Sequence, residues 1–344
     1  MSYKEEQRKR QIALLKSTIF SDDRGKGKYL WRSIEQEGKE EILTDGLKNL
    51  FEPIRNCVVE YCKKNKVSLW RLAGEKKDKP TGHLLSSQVA CLNHLFYLRN
   101  KPDIVLKIAQ KICPNIIEIL KIETDKNLSE YISFEAVSDN DYLNECKEGQ
   151  QPTRGKNCTS IDALIYAKDK HNNRYILPIE WKYTELYGNE DKSTTSSDKK
   201  SQHHKENDEA KGKKRLNSYS DLIDKSKQLK GKRESYRNSS YFFEPFYQLM
   251  RQTLWAEEMI RNNKKEIVKA DKFIHVHVIS QENKELLEKK YKCSGKNMED
   301  TWREHLTNQD IYKIVSPREL LSGIDFDKST ELNELKSYLE RRYW

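Results

Sequence analysis

Two carboxylates beside a fixed ammonium are the side chains that metal-assisted phosphodiester cleavage requires, and one short segment of this chain carries all three. Asp162 sits in the apolar run Ser160–Ala167, and Glu180 and Lys182 close the run RYILPIEWKYTE, Arg174–Glu185. Glu-x-Lys by itself means little in a chain that is 34% charged; it recurs at Glu37/Lys39 and Glu334/Lys336, among others. Context separates this copy. Only Glu180 and Lys182 end a strand-like run, where side chains two apart share a face. Leu177, Ile179, Trp181 and Tyr183 then fall on the other face. A carboxylate within an apolar strand is costly unless paired or bound to a cation. Asp162 therefore needs either an ion shared with Glu180 or a plain salt bridge to Lys182.

The elements that must position these groups follow from periodicity. Polar residues Asp169–Asn173 separate the two apolar runs and predict a hairpin. Apolar spacings of three and four predict mostly helix from about 4 to 72. A charged Pro/Gly linker at 76–82 suggests a boundary, dividing the chain into an N-terminal helical region, 1–79, and a second domain, 80–344. In that second domain the pattern predicts a buried helix over 84–98, capped by Ser86 or Ser87, and another over 102–113 with Pro102 in its first turn. Strands are predicted at 131–137 and 272–280, an amphipathic helix at 246–260, and a short strand at Ile311–Val315. Residues 189–240 are Ser-, Lys- and Asn-rich, with 14 Lys/Arg against 9 Asp/Glu. They read as a mobile basic insertion, with a short helix at 219–229, that could track a phosphate backbone.

The 344 residues carry a formal net charge of +10, which favours a polyanionic partner. Seven cysteines without a Cys-x-x-Cys pair imply reduced thiols, and no long apolar segment is present, so the expected setting is the cytoplasm, with no membrane partner. No Walker loop, Gly-x-Gly-x-x-Gly or Gly-x-Ser-x-Gly occurs, which argues against P-loop NTPases, dinucleotide enzymes and serine hydrolases. His275 and His277 share one strand face and could ligate a metal, but no third ligand is evident nearby and they are expected simply on its polar side; His203 and His204 fall in the basic insertion.

Four blocks carry a wider resemblance: HLLSSQ (His83–Gln88), RGKNCTSIDALI (Arg154–Ile165), IEWKYTE (Ile179–Glu185) and YQLMRQTLWAE (Tyr247–Glu257). In order and content the chain resembles the PD-(D/E)XK nuclease superfamily, and within it a family of bacterial restriction endonucleases, over roughly residues 80–280. The resemblance implies an α/β fold, restriction-endonuclease-like, with a mixed central sheet flanked by helices. It implies that Asp162 and Glu180, with the Trp181 backbone carbonyl, hold Mg²⁺ or Mn²⁺ and that Lys182 orients the attacking water. DNA becomes the expected substrate, RNA remaining open, and cutting both strands would favour a homodimer. Gln248 and Gln252 fall where related nucleases place supporting polar residues. The superfamily's frequent glutamate on the first core helix is missing; Gln88 and Asn93 are the nearest polar residues there, and Glu135 belongs to a strand instead.

Two other classes compete with a nuclease. One is a catalytically inactive nucleic-acid-binding module of the same fold, which would bind but not nick DNA. The other is a structural or interaction protein, whose melting temperature Mg²⁺ and Mn²⁺ would leave unchanged.

Overall fold

The computed structural model describes all residues except 32–33, 76–78, 126–127, 195–201 and 232, and the side chains of 125 and 202–208 as well. The centre of the 76–82 linker and the side chains of His203 and His204 thus lie outside the described residues.

The chain opens with α1 (Tyr3–Leu14), capped by the Ser2 side chain. It continues through an antiparallel hairpin, β1 (Gly27–Trp31) and β2 (Ile34–Lys39), to α2 (Arg55–Lys64). The hairpin corrects the helical expectation for 4–72. Both of its strands are largely exposed, so they lack the alternating apolar pattern that would mark them. Next come α3 (Ser87–Leu95), capped by Ser86, and α4 (Pro102–Ile112), as the sequence predicted. Four short strands follow: β3 (Ile116–Ile119), β4 (Glu123–Asp125), β5 (Leu128–Glu130) and β6 (Ile132–Ala136). The long hairpin strands are β7 (Ile161–Asp169) and β8 (Arg174–Lys182).

Within 189–240 the chain forms a 24-residue helix, α5 (Gln202–Lys225), where sequence predicted mostly mobile loop. Tyr219 and Ile223, one turn apart, are buried in the core that α6 (Phe246–Arg261) also fills, and the Tyr219 hydroxyl donates to Glu145. Sparse apolar positions in a polar segment hid this contact stripe. The last elements are β9 (Lys272–Phe273), β10 (His275–Ile279), α7 (Lys284–Leu287), α8 (Met298–His305), β11 (Tyr312–Val315), α9 (Pro317–Leu321) and α10 (Thr330–Arg342).

The central sheet is mixed, in the order β11-β10-β8-β7-β3, with β6 also pairing β7 and β9 pairing β8. β10 runs parallel to both β8 and β11, whereas β7 is antiparallel to β8, β6 and β3. Side-chain alternation gives the sheet two buried faces. Ala163, Ile165, Leu177, Ile179 and Trp181 enter a core shared with α2, α3, α4 and α10. Leu164, Tyr166, Ile176 and Tyr312 enter a second core with α6 and α8. The first core draws residues from Leu15 to Tyr343, so the N-terminal segment packs against the C-terminal helix.

Candidate active site

The hairpin register decides where the charged groups meet. Ala163 pairs with Ile179, which leaves Asp162 beside Glu180 at the end of the ladder, both on the α6 face. The Trp181 backbone N–H donates to Asp162 Oδ2 at 2.8 Å, so the carboxylate takes over a position where a ladder bond would otherwise form. Trp181 itself is buried in the first core, with its ring 4.6 Å from that of His94. The peptide between Glu180 and Lys182 is thereby fixed from two sides.

Glu180 and Lys182 are almost fully buried and joined directly, Lys182 Nζ to Glu180 Oε1 at 2.6 Å. The two glutamines on α6 complete the centre. The Gln248 amide donates to Glu180 Oε1 at 2.6 Å while its carbonyl accepts from Lys182 Nζ, also at 2.6 Å. Gln252 donates to Glu180 Oε2. Lys182 therefore pairs with Glu180, not with Asp162, and its ammonium is held in place by acceptors on two elements. Burial works against its charge, but Glu180, then Tyr187 and Glu185, keep its pKa well above the ordinary lysine value.

The negative side of the centre is in excess. Burial, followed by the charges of Glu180 and Glu135, pushes the Asp162 carboxyl well above the usual carboxylate range. Glu135, which the sequence pattern left aside on a strand, is brought to the same place: β6 sets Phe134 against Ala163 and Ala136 against Ile161, so Glu135 faces Asp162. Burial and the nearby Glu180 charge raise its pKa to about 7 against the pull of the Gln88 amide. Gln88, on the first turn of α3, donates to Glu135 Oε1 and accepts from the Trp70 N–H at 2.9 Å, linking helix, strand and the segment before the linker. Asn93 plays no part here; it bonds Phe51, Asn49 and Tyr343 in the first core.

Glu135, Asp162, Gln248, Arg251 and Gln252 line a cleft of about 250 Å³ bounded by β6, the 155–160 loop and α6, and Glu180 and Lys182 are tied to it through their bonds to the two glutamines. The loop is pinned by Glu145, which accepts from the Thr159 hydroxyl at 2.7 Å and from Arg251 at 2.8 Å. At Gly155, φ is +71°, and an added Cβ would stand 2.3 Å from the Ser68 carbonyl oxygen, so only glycine fits this wall. Lys156, next to it, is exposed on the rim. A larger cavity, about 580 Å³, opens near Tyr175 and Lys272 at the far end of β8, away from these carboxylates.

His275 and His277 correct a second expectation. Instead of facing solvent on a polar side, both are about 1% exposed, sealed with Tyr312 on the α6 face of the sheet. His277 Nδ1 lies 3.1 Å from the Tyr312 hydroxyl, whereas both nitrogens of His275 have no partner. Burial, with the Lys182 charge behind it, lowers the His275 pKa to about 3. Among the described residues no three His, Cys, Asp or Glu side chains form a ready-made metal cluster. The donor set nevertheless fits a hard cation: Asp162 Oδ1 has no recorded partner, Glu180 Oε2 accepts from Gln252, and the repulsion between the two carboxylates, only partly offset by Lys182 and the Trp181 N–H, keeps the Asp162 pKa raised.

An α/β protein with a carboxylate–ammonium centre where two antiparallel strands end beneath a helix is the class that fold and site define. The family model described as restriction endonuclease associating with ARP matches residues 9–344. The chain belongs to that restriction-endonuclease family. No curated protein and no solved structure matches it. All seven cysteines are free, and no described helix is long and apolar enough to cross a membrane.

Proposed function

We propose that this protein is a metal-dependent nuclease of the PD-(D/E)XK type that hydrolyses DNA phosphodiester bonds in a restriction or defence setting. The observation that supports the reading is that the hairpin register sets Asp162 beside Glu180, which holds Lys182 directly, with the Trp181 peptide tied to Asp162. Membership of a restriction-endonuclease family supports DNA as the substrate, and the association with ARP in the family's description is carried over as part of the same reading.

Asp162, Glu180 and the Trp181 carbonyl would hold Mg²⁺ or Mn²⁺. When bound, the ion lowers the pKa of a water and offsets charge building on the phosphate. Lys182, fixed by Glu180 and Gln248, donates to the attacking water and to the phosphate oxygens; a compact ammonium suits this better than arginine's planar fork. Gln248 and Gln252 keep Glu180 oriented and supply no charge.

Incubating the purified protein with duplex DNA and with RNA, with and without Mg²⁺, tests the reading. Cleavage of DNA that needs the ion and disappears in Asp162→Ala is the expected result. An Asp162→Ala variant that cuts as well as the parent rules the assignment out, and DNA binding without any nicking would favour a catalytically inactive module.

A further inference from the structure

The proposed nuclease reading accounts for Asp162, Glu180 and Lys182 but leaves unexplained why a third carboxylate is held against them. Glu135 is 8% exposed, and among the described residues it makes no ion pair: Arg154, which acts on it at longer range, is paired with Glu123, and its hydrogen-bond partner is the neutral amide of Gln88. Its backbone adopts φ +50°, the left-handed region that side chains other than glycine and asparagine seldom enter, at a cost of about 1–2 kcal/mol. Its strand neighbours are ordinary: Phe134 and Ala136 keep their pairing with β7. A buried, unpaired and strained carboxylate opposite another carboxylate is what folding alone would remove, since a neutral residue there would relieve both penalties.

A second, independent feature points to a ligand. Gln252 is 1% exposed and lines the same cleft, and its amide nitrogen is committed to Glu180, yet its carbonyl oxygen has no partner. Of the buried polar atoms left without a partner among the described residues, this is the one whose residue lines the cleft.

We infer that Glu135 is a third carboxylate of the ion-binding centre, so that the cleft takes a hard divalent cation of the Mg²⁺/Mn²⁺ class against Glu135 as well as Asp162. Gln88 then acts as a positioning residue: it fixes the Glu135 carboxylate from α3 and couples it to the Trp70 segment. This inference rests on the nuclease reading for the identity of the ion, but not on cleavage for its test.

The test uses Mn²⁺ alone as the probe, titrated against the full-length protein by thermal shift and by the paramagnetic signal of free Mn²⁺, in Glu135→Gln, Asp162→Asn and Gln88→Ala. Glu135→Gln should melt higher than the parent without metal, because a repulsion is removed, and should bind Mn²⁺ at least about tenfold more weakly. Gln88→Ala should weaken Mn²⁺ by a smaller factor. Mn²⁺ affinity of Glu135→Gln within twofold of the parent, while Asp162→Asn loses it, overturns the role of Glu135 and leaves the rest of the centre standing. Unchanged affinity in both variants overturns the centre itself.

Discussion

The two faces of the central sheet bury polar groups in opposite ways. On the face covered by α3 and α10, Arg342 is completely buried, yet it donates to Gln11 Oε1 at 3.1 Å, to the Asn49 carbonyl at 2.5 Å and to the Asn49 side chain and Tyr338 hydroxyl. The acceptors are themselves used: Gln11 bonds Tyr183, and Asn49 donates to the carbonyls of Thr81 and His83. Every group closes on another, and the network joins α1, α10 and the segment before α2. On the α6 face, Gln252 Oε1, both nitrogens of His275, His277 Nε2 and the indole N–H of Trp255 are left without partners. A network that serves only cohesion is free to satisfy all its members; of the open groups on the α6 face, Gln252 lines the cleft, where the proposed ion would use its free valence.

Breaking the closed network should have the largest effect. Arg342→Ala strands several buried acceptors at once and should cost about 3–5 kcal/mol in urea unfolding, with the cleavage rate per folded molecule nearly unchanged. If that variant unfolds at the parent's midpoint, the face is not held as described. Lys182→Ala attacks the open side: its rate should fall by about 10²–10³-fold, while DNA affinity measured in Ca²⁺ changes little. A loss of affinity matching the loss of rate would mean that Lys182 only binds.

The histidines sharpen the contrast through pH. The His275 pKa is lowered to about 3 in the fold, so between that value and its ordinary 6.5 the unfolded chain binds the extra proton. Its contribution to stability is complete above about pH 6.5 and falls as the pH drops below it. His277, Lys182 and Tyr312 surround the ring, and none offers it an anion. His275→Phe should therefore flatten the acid limb of the stability profile, gaining about 2 kcal/mol at pH 5 relative to the parent. An unchanged slope would place the acid sensitivity elsewhere. The smallest effect is expected from Gln248→Ala, which removes one acceptor from Lys182 and one donor to Glu180. A several-fold loss of rate, about 1 kcal/mol, with the fold intact is the outcome to look for.

Much of this arrangement was legible before any coordinates. The helices α3, α4 and α6 and the β7–β8 hairpin have strong apolar periodicity, because one side of each lies on a core. The β1–β2 hairpin has no buried face to impose a pattern, and α5 shows its core only through residues such as Tyr219 and Ile223, so both escaped. His275 and His277 were misplaced for a related reason: the second face of β10 is covered by elements far along the chain, and nothing in a strand's own alternation reveals that its polar residues are sealed.

The sequence by itself determined the proximity of Glu180 and Lys182, since alternate residues of a strand share a side, and it made Asp162 their neighbour through a short polar turn between two apolar runs. Only the tertiary structure decided that Lys182 would pair with Glu180 and leave Asp162 exposed to a second charge. It also decided that Gln248 and Gln252 would grip Glu180, and that Glu135, turned by a left-handed backbone and held by Gln88, would complete the acidic wall. Local periodicity fixes which residues share a face. Which faces meet depends on how distant segments pack, and that physical step has no signature in a strand's own alternation.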